Sequence, residues 1–193
     1  MDGALDRLRR AFADEAVRSI SRRYFVSNGF DGALTSVGVI VGAFVSGVPD
    51  GVTVVQIGVG AAIGLGTSGV WSVWEIERAE RQAEISRLER AMLADLDDTR
   101  IQHEHQAARA VNAVSSGLGP VVGVLVPLLP FLLEGSLLTM AQATLLGVGL
   151  AVAVLFAFGA YMGSVAGMNW YVAGLRMGLA GVVVALVNLL LSR

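Results

Sequence analysis

Asp31 stands near the start of the first membrane-length apolar segment, in the run Asn28-Gly-Phe-Asp-Gly-Ala-Leu-Thr35, and Ser36 to Val48 follow it without a charge. An ionisable side chain there costs roughly 2.5–3.5 kcal/mol on insertion scales, so it normally faces protein or a water-filled path. Asn28, Asp31, Thr35, Gly38 and Gly42 advance by three or four residues and fall on one face of a helix. The Asp31 part of that face is polar and suits a cation. The glycine part lets a second helix approach closely. The alternative is an Asp held for folding alone, paired with a backbone group or an Arg.

A second group of possible ligands lies between residues 75 and 110. Glu77, Glu80 and Glu84 share a helical face, and Glu77 with Arg81 forms an i,i+4 pair of favourable polarity. Asp95-Leu-Asp-Asp98 reads as a break, with Asp97 or Asp98 capping a second helix from about Thr99. His103, Glu104 and His105 fall in that helix, where residues two apart do not face each other. Glu77, Glu80 and Glu84, joined by Asp98 and His105, are candidate ligands for a hard or borderline divalent metal such as Mn²⁺ or Fe²⁺. The competing reading is a solvated, salt-bridged pair of helices.

The elements that must position these groups are membrane helices. The chain has 193 residues, is 54% hydrophobic and contains 24 Gly, with a mean hydropathy of +0.66. Five apolar stretches, roughly 25–48, 52–74, 111–133, 137–162 and 170–191, are each long enough to cross a ~30 Å hydrocarbon layer. The expected class is therefore all-α, a polytopic membrane protein with five transmembrane helices. Residues 1–24 form an amphipathic helix, with Leu5, Leu8, Phe12, Ala16 and Ile20 on one face. That helix lies either on the membrane surface or against the cytosolic part of the same chain. Residues 25–74 hold the first two spans, 75–110 a short cytosolic helical hairpin and 111–193 the last three spans. Pro49-Asp50-Gly51 is a tight turn, and Pro120, Pro127 and Pro130 fall in the third span. There they free carbonyls, for packing or for an ion. Small residues recur at four-residue spacing in Gly60/Gly64/Ser68, Gly159/Gly163/Gly167 and Gly174/Gly178, the pattern of closely packed membrane helices.

Charge placement orients the spans. Arg7, Arg9, Arg10, Arg18, Arg22 and Arg23 precede the first span, and Arg78, Arg81, Arg87, Arg90, Arg100 and Arg109 lie between the second and third. The short turns on the other side carry no Arg. The positive-inside rule then puts the N-terminus and the 75–110 insert in the cytosol and the C-terminus on the opposite side. The first 24 residues lack the apolar core of a signal peptide. A net charge of −2 argues against a nucleic-acid partner, whose usual electrostatic footprint is basic. With no cysteine, disulfides, thiolate metal sites and iron–sulfur clusters are out.

Arg23-Tyr-Phe-Val-Ser-Asn-Gly-Phe-Asp-Gly-Ala-Leu-Thr-Ser-Val-Gly-Val-Ile-Val-Gly-Ala43 resembles the first helix of the vacuolar iron transporter family. Gly123-Val-Leu-Val-Pro-Leu-Leu-Pro130 resembles its third, and Gly174-Leu-Arg-Met-Gly-Leu-Ala-Gly181 its last. The order of spans and the insert after the second agree as well. The resemblance implies a homodimeric antiporter exporting Fe²⁺ or Mn²⁺ from the cytosol against protons, with the pathway between subunits and the metal as substrate rather than tightly bound cofactor. Asp31 would be its intramembrane acid. The cell membrane is the expected location, ahead of an organelle membrane. In the family the second helix carries an acid. Here the matching stretch is Gly66-Thr-Ser-Gly-Val-Trp-Ser72, whose polar candidates are Thr67, Ser68 and Ser72. The expected pathway is therefore Asp31, Asn28, Thr35, Ser68 and Ser72. The insert is short and has Met92 as its one thioether.

Other classes fare worse. Gly66-Thr-Ser-Gly69 matches the Gly-x-Ser-Gly of rhomboid-like intramembrane proteases, but both histidines lie in the insert, away from any base position for that Ser. An aspartyl protease needs two intramembrane Asp, and only Asp31 qualifies. No enzyme activity is expected. The alternative from another class is a family-shaped membrane protein that carries a different small cation or solute, or a non-transporting interaction module.

Overall fold

Asp14 starts the first described helix, its carboxylate accepting the Ala16 N–H at 2.8 Å, as a cap with an acidic side chain should. The computed structural model describes residues 13–92 and 100–191. Five long helices follow in order, with a short 3₁₀ turn after the third. They are α1 (Glu15–Val45), α2 (Gly51–Met92), α3 (Arg100–Leu128), the turn Leu129–Leu133, α4 (Met140–Val165) and α5 (Trp170–Leu191). All five are long and apolar enough to cross a membrane, so the all-α, five-span architecture expected from hydropathy holds.

The helices are longer than the apolar runs. α1 continues without a break through the expected boundary at residue 24, so 15–24 and the first span form one rod. Val17 is buried against Val111, with Ala107 and Ala108 beside it. Residues 15–24 thus pack through Val17 on the first part of α3. The earlier part of the expected amphipathic helix, with Leu5, Leu8 and Phe12, lies outside the described residues. α2 has 42 residues, about 63 Å at 1.5 Å per residue, and its far half is the first arm of the insert. The second arm is the start of α3. The Asp95–Asp98 break lies outside the described residues.

Chain reversals use side-chain caps and left-handed glycines. Gly47 has φ +68, a conformation cheap only for glycine, and Val48 N–H donates to Ala43 O at 3.0 Å to close α1. Asp50 then caps α2, accepting from Thr53 N–H at 2.8 Å and Thr53 Oγ1 at 3.0 Å. Glu134, from the loop after α3, accepts the Gly51 N–H at 3.0 Å. Thr139 and Gln142 form a reciprocal capping box at α4.

α3 lies between α1 and α2, and α4 packs mainly on α5. The contacts run through glycine. A Cβ on Gly32 would meet Pro120 Cα at 2.6 Å, and one on Gly69 would meet Ser116 O at 2.8 Å. Gly159 and Gly163 touch α5 at Ala173, Gly174 and Trp170, so these glycines do bring helices together as their spacing suggested, whereas Gly167 lies beyond α4 in the loop at φ +65, with nothing within 4 Å of a Cβ. Gly60 and Gly64 behave differently: nothing lies within 4 Å of a Cβ on either. Ile40, Val54, Ala62, Val124, Leu128, Phe131 and Ala143 form the main buried cluster, toward the loop end of the bundle.

Candidate functional site

Asp31 is exposed on α1. Its neighbours Gly29, Gly32 and Ala33 are buried, Gly29 against Phe158 of α4 and Gly32 against Pro120 of α3. Asp31 therefore points away from the bundle. A Cβ on Gly38 or Gly42 would meet nothing within 4 Å, so the face they share with Asp31 is open along its length. The Thr35 hydroxyl donates to Asp31 O at 2.8 Å. That bond uses the backbone of the turn and leaves the carboxylate unengaged.

Asn28 divides from this set. Its Nδ2 donates to Ser116 O at 3.3 Å and to Ser116 Oγ. The helical wheel puts Asn28 at the edge of the Asp31 face, and the structure turns it toward α3. The reason lies in Pro120. A proline has no N–H, so the carbonyl four residues earlier, Ser116 O, loses its helical donor. The Asn28 amide supplies one, across the α1–α3 contact. At this proline the freed carbonyl serves packing.

Ser116 also donates to Gly69 O of α2 at 2.9 Å. One turn earlier on α3, Asn112 accepts from Ser21 Oγ at 2.7 Å and donates from Nδ2 to Glu77 Oε1 at 3.2 Å. Tyr24 OH reaches the same Oε1 at 3.4 Å. Glu77 is 7% exposed and Asn112 2%. The result is a polar seam of Ser21, Tyr24 and Asn28 on α1, Gly69 and Glu77 on α2, and Asn112 and Ser116 on α3. It ties three helices at the Arg-rich end, and a fully satisfied network of this kind fixes one arrangement of them. Beside it, Arg109 lies over the Trp74 ring at 3.9 Å.

The candidate metal ligands are not gathered. Glu77 faces inward, Glu80 is exposed, and Glu84 pairs with Arg81 at 2.7 Å. Asp98 lies outside the described residues, as does the side chain of His105, whose backbone is part of α3. Among the described residues no three of His, Asp or Glu come close enough to hold a metal ion. Ser68 and Ser72 are exposed. Ser68 continues the open Gly60/Gly64 face of α2, and Ser72 Oγ leans back on Gly69 O at 3.5 Å.

Glu77→Ala strips the acceptor from two donors, leaving the 2%-exposed Asn112 amide unpaired. It should destabilise the bundle by about 1–3 kcal/mol. Glu77→Gln keeps an acceptor oxygen at that position and should cost less than half as much. Thermal unfolding in detergent, followed by tryptophan fluorescence, measures both.

The fold and these groups define a class: a five-span helical membrane protein with an unpaired acid on one of its apolar helices. The chain belongs to the VIT family, whose sequence profile matches residues 75–193. Members of that family are membrane transporters rather than enzymes. An uncharacterized protein of Methanocaldococcus jannaschii is 25% identical over 174 residues, covering 89% of this chain and 88% of that protein.

Proposed function

We propose that the protein exports a divalent cation, Fe²⁺ or Mn²⁺, from the cytosol in exchange for protons, as a homodimer in the cell membrane. The observation that supports this best is the Asp31 carboxylate, free and exposed on a membrane-length helix. A soluble protein exposes such groups everywhere. In a membrane helix an acid left facing the hydrocarbon is costly, so a partner surface or a water-filled path must cover it. A second copy set against the open Asp31/Thr35/Gly38/Gly42 face would provide both, and would bring two carboxylates to one axis. Hard and borderline divalent ions suit carboxylate oxygen.

The remaining groups have supporting places in this reading. Ser68 and Ser72 border the pathway on α2. The exposed Glu80 and Glu84, with Asp98 and His105, draw cations to the entrance at the Arg-rich end, which the positive-inside rule places in the cytosol. The C-terminus is then on the opposite side.

Uptake into proteoliposomes tests the reading. Purified protein is reconstituted with a metal-sensitive dye inside, and Fe²⁺, Mn²⁺, Co²⁺ or Zn²⁺ is added outside. Saturable uptake of Fe²⁺ or Mn²⁺, faster with the interior acidic, is the expected result. If none of the four metals enters above the rate of empty liposomes, transport of divalent metal is ruled out and the interaction-module alternative takes its place.

A further inference from the structure

Arg176 is a charge inside a membrane helix that the seam and the pathway leave unused. It is the seventh residue of α5, exposed, on a 22-residue helix with hydropathy 2.0. Among the described residues its guanidinium has no ion-pair or hydrogen-bond partner, and neither does the carboxylate of Asp31. An intramembrane ionisable group asks for its partner by default.

Contacts across α4 put the two charges at one level. On one side of α4, Gly29 of α1 meets the Phe158 ring, and further along Gly147 meets Ile40. On another side, Gly159 meets Ala173 and Gly174 of α5, and further back Val152 and Leu155 meet Gly181. Both α1 and α5 thus run antiparallel to α4 and parallel to each other. They cross it at adjacent residues, Phe158 and Gly159. Asp31 is two residues beyond Gly29, and Arg176 is two residues beyond Gly174. Two residues along a helix is about 200° of turn and 3 Å of rise. Each charge therefore sits just past the crossing, on the side of its helix away from α4. α1 and α5 also touch each other directly, and Val37 and Val41 share a cluster with Val184 and Ala185. Packed helices have axes about 8–10 Å apart, a gap that a long, flexible arginine can reach across by lying along the surface.

We propose that Arg176 is the counter-charge of Asp31: a guanidinium on α5, level with the carboxylate on the same outer surface, that neutralises it when no cation is bound and competes with a cation for it. The pairing gives both charges a membrane-compatible state in the empty protein. It also makes cation release easier, because the arginine replaces the departing ion. The cation half of the inference rests on the proposed transport function. The pairing half does not.

Two measurements test the halves separately. Because the chain has no cysteine, Asp31→Cys/Arg176→Cys places the only two thiols in the protein. A short bifunctional thiol reagent should link them within one chain, identified as a cross-linked peptide pair in the single-chain band. If both thiols react with maleimide but do not link within a chain, the pairing is wrong. For the cation half, Mn²⁺ binding to the purified full-length protein is compared across variants. Arg176→Gln should bind Mn²⁺ about tenfold more tightly, the effect of removing one competing charge at close range, and Arg176→Lys should stay near the unmodified protein. Equal affinity in Arg176→Gln overturns the competition. An unmodified protein that binds no Mn²⁺, with the double-cysteine variant still cross-linked, would leave the pairing standing and overturn the cation half together with Mn²⁺ transport.

Discussion

Asp31→Asn should abolish saturable Mn²⁺ uptake while the protein still folds. Asparagine keeps the shape of the side chain and removes its charge. The carboxylate is exposed, and the asparagine amide oxygen still accepts a hydrogen bond from Arg176, so the loss of stability should stay within about 1–3 kcal/mol. The same change takes an anionic oxygen from the cation. Losing one partner of a desolvated charge pair typically costs 2–5 kcal/mol, so Mn²⁺ affinity should fall at least about thirtyfold at 1.4 kcal/mol per factor of ten. Flux and thermal unfolding measured on one preparation check both parts. Undiminished uptake by a folded Asp31→Asn protein would remove Asp31 from the pathway. Lost uptake with lost folding would point instead to a structural acid.

Hydropathy alone carried the spans, because runs of this length have no soluble explanation, and α5 matches its expected bounds of 170–191. Their extensions were harder to see. Residues 15–24 and 75–92 are polar helix built onto apolar helix, and composition changes there although the backbone does not. Helical spacing also placed Asn28 and Glu77 imperfectly. It says which residues share a face, not what covers that face at each height. Glu77 and Glu84 are in phase, yet Ser21, Tyr24 and Asn112 converge only on Glu77. Asn112 and Ser116 were missed as a pair. The available signal was Pro120, whose missing N–H leaves Ser116 O in need of a donor. Arg176 stood in view within Gly174-Leu-Arg-Met-Gly178. Its partner Asp31 is 145 positions away in sequence, and only the shared crossing of α4 brings the two to one level.

Gly123→Leu should separate α1 from α3 and disrupt the bundle. A Cβ on Gly123 would overlap Gly29 O and come within 2.7 Å of Ala33 N, both backbone atoms of α1. Backbone gives way only by moving the whole helix, unlike the tip of a flexible side chain. Overpacking a well-fitted site costs about 1–3 kcal/mol in ordinary cases. A leucine against backbone should reach or exceed the top of that range and weaken the Asn28–Ser116 bond along the same contact. Asp31 rides on α1, so uptake should fall together with the melting temperature. Gly38→Leu provides the contrast. Its Cβ meets nothing within the chain, so the isolated subunit should melt unchanged or slightly higher, since leucine is the better helix former. If a second copy covers that face, Gly38→Leu will instead reduce the dimer fraction in detergent, measured by light scattering. Gly123→Leu therefore reports on how the chain packs against itself. Gly38→Leu reports on what covers the acid that the chain leaves bare.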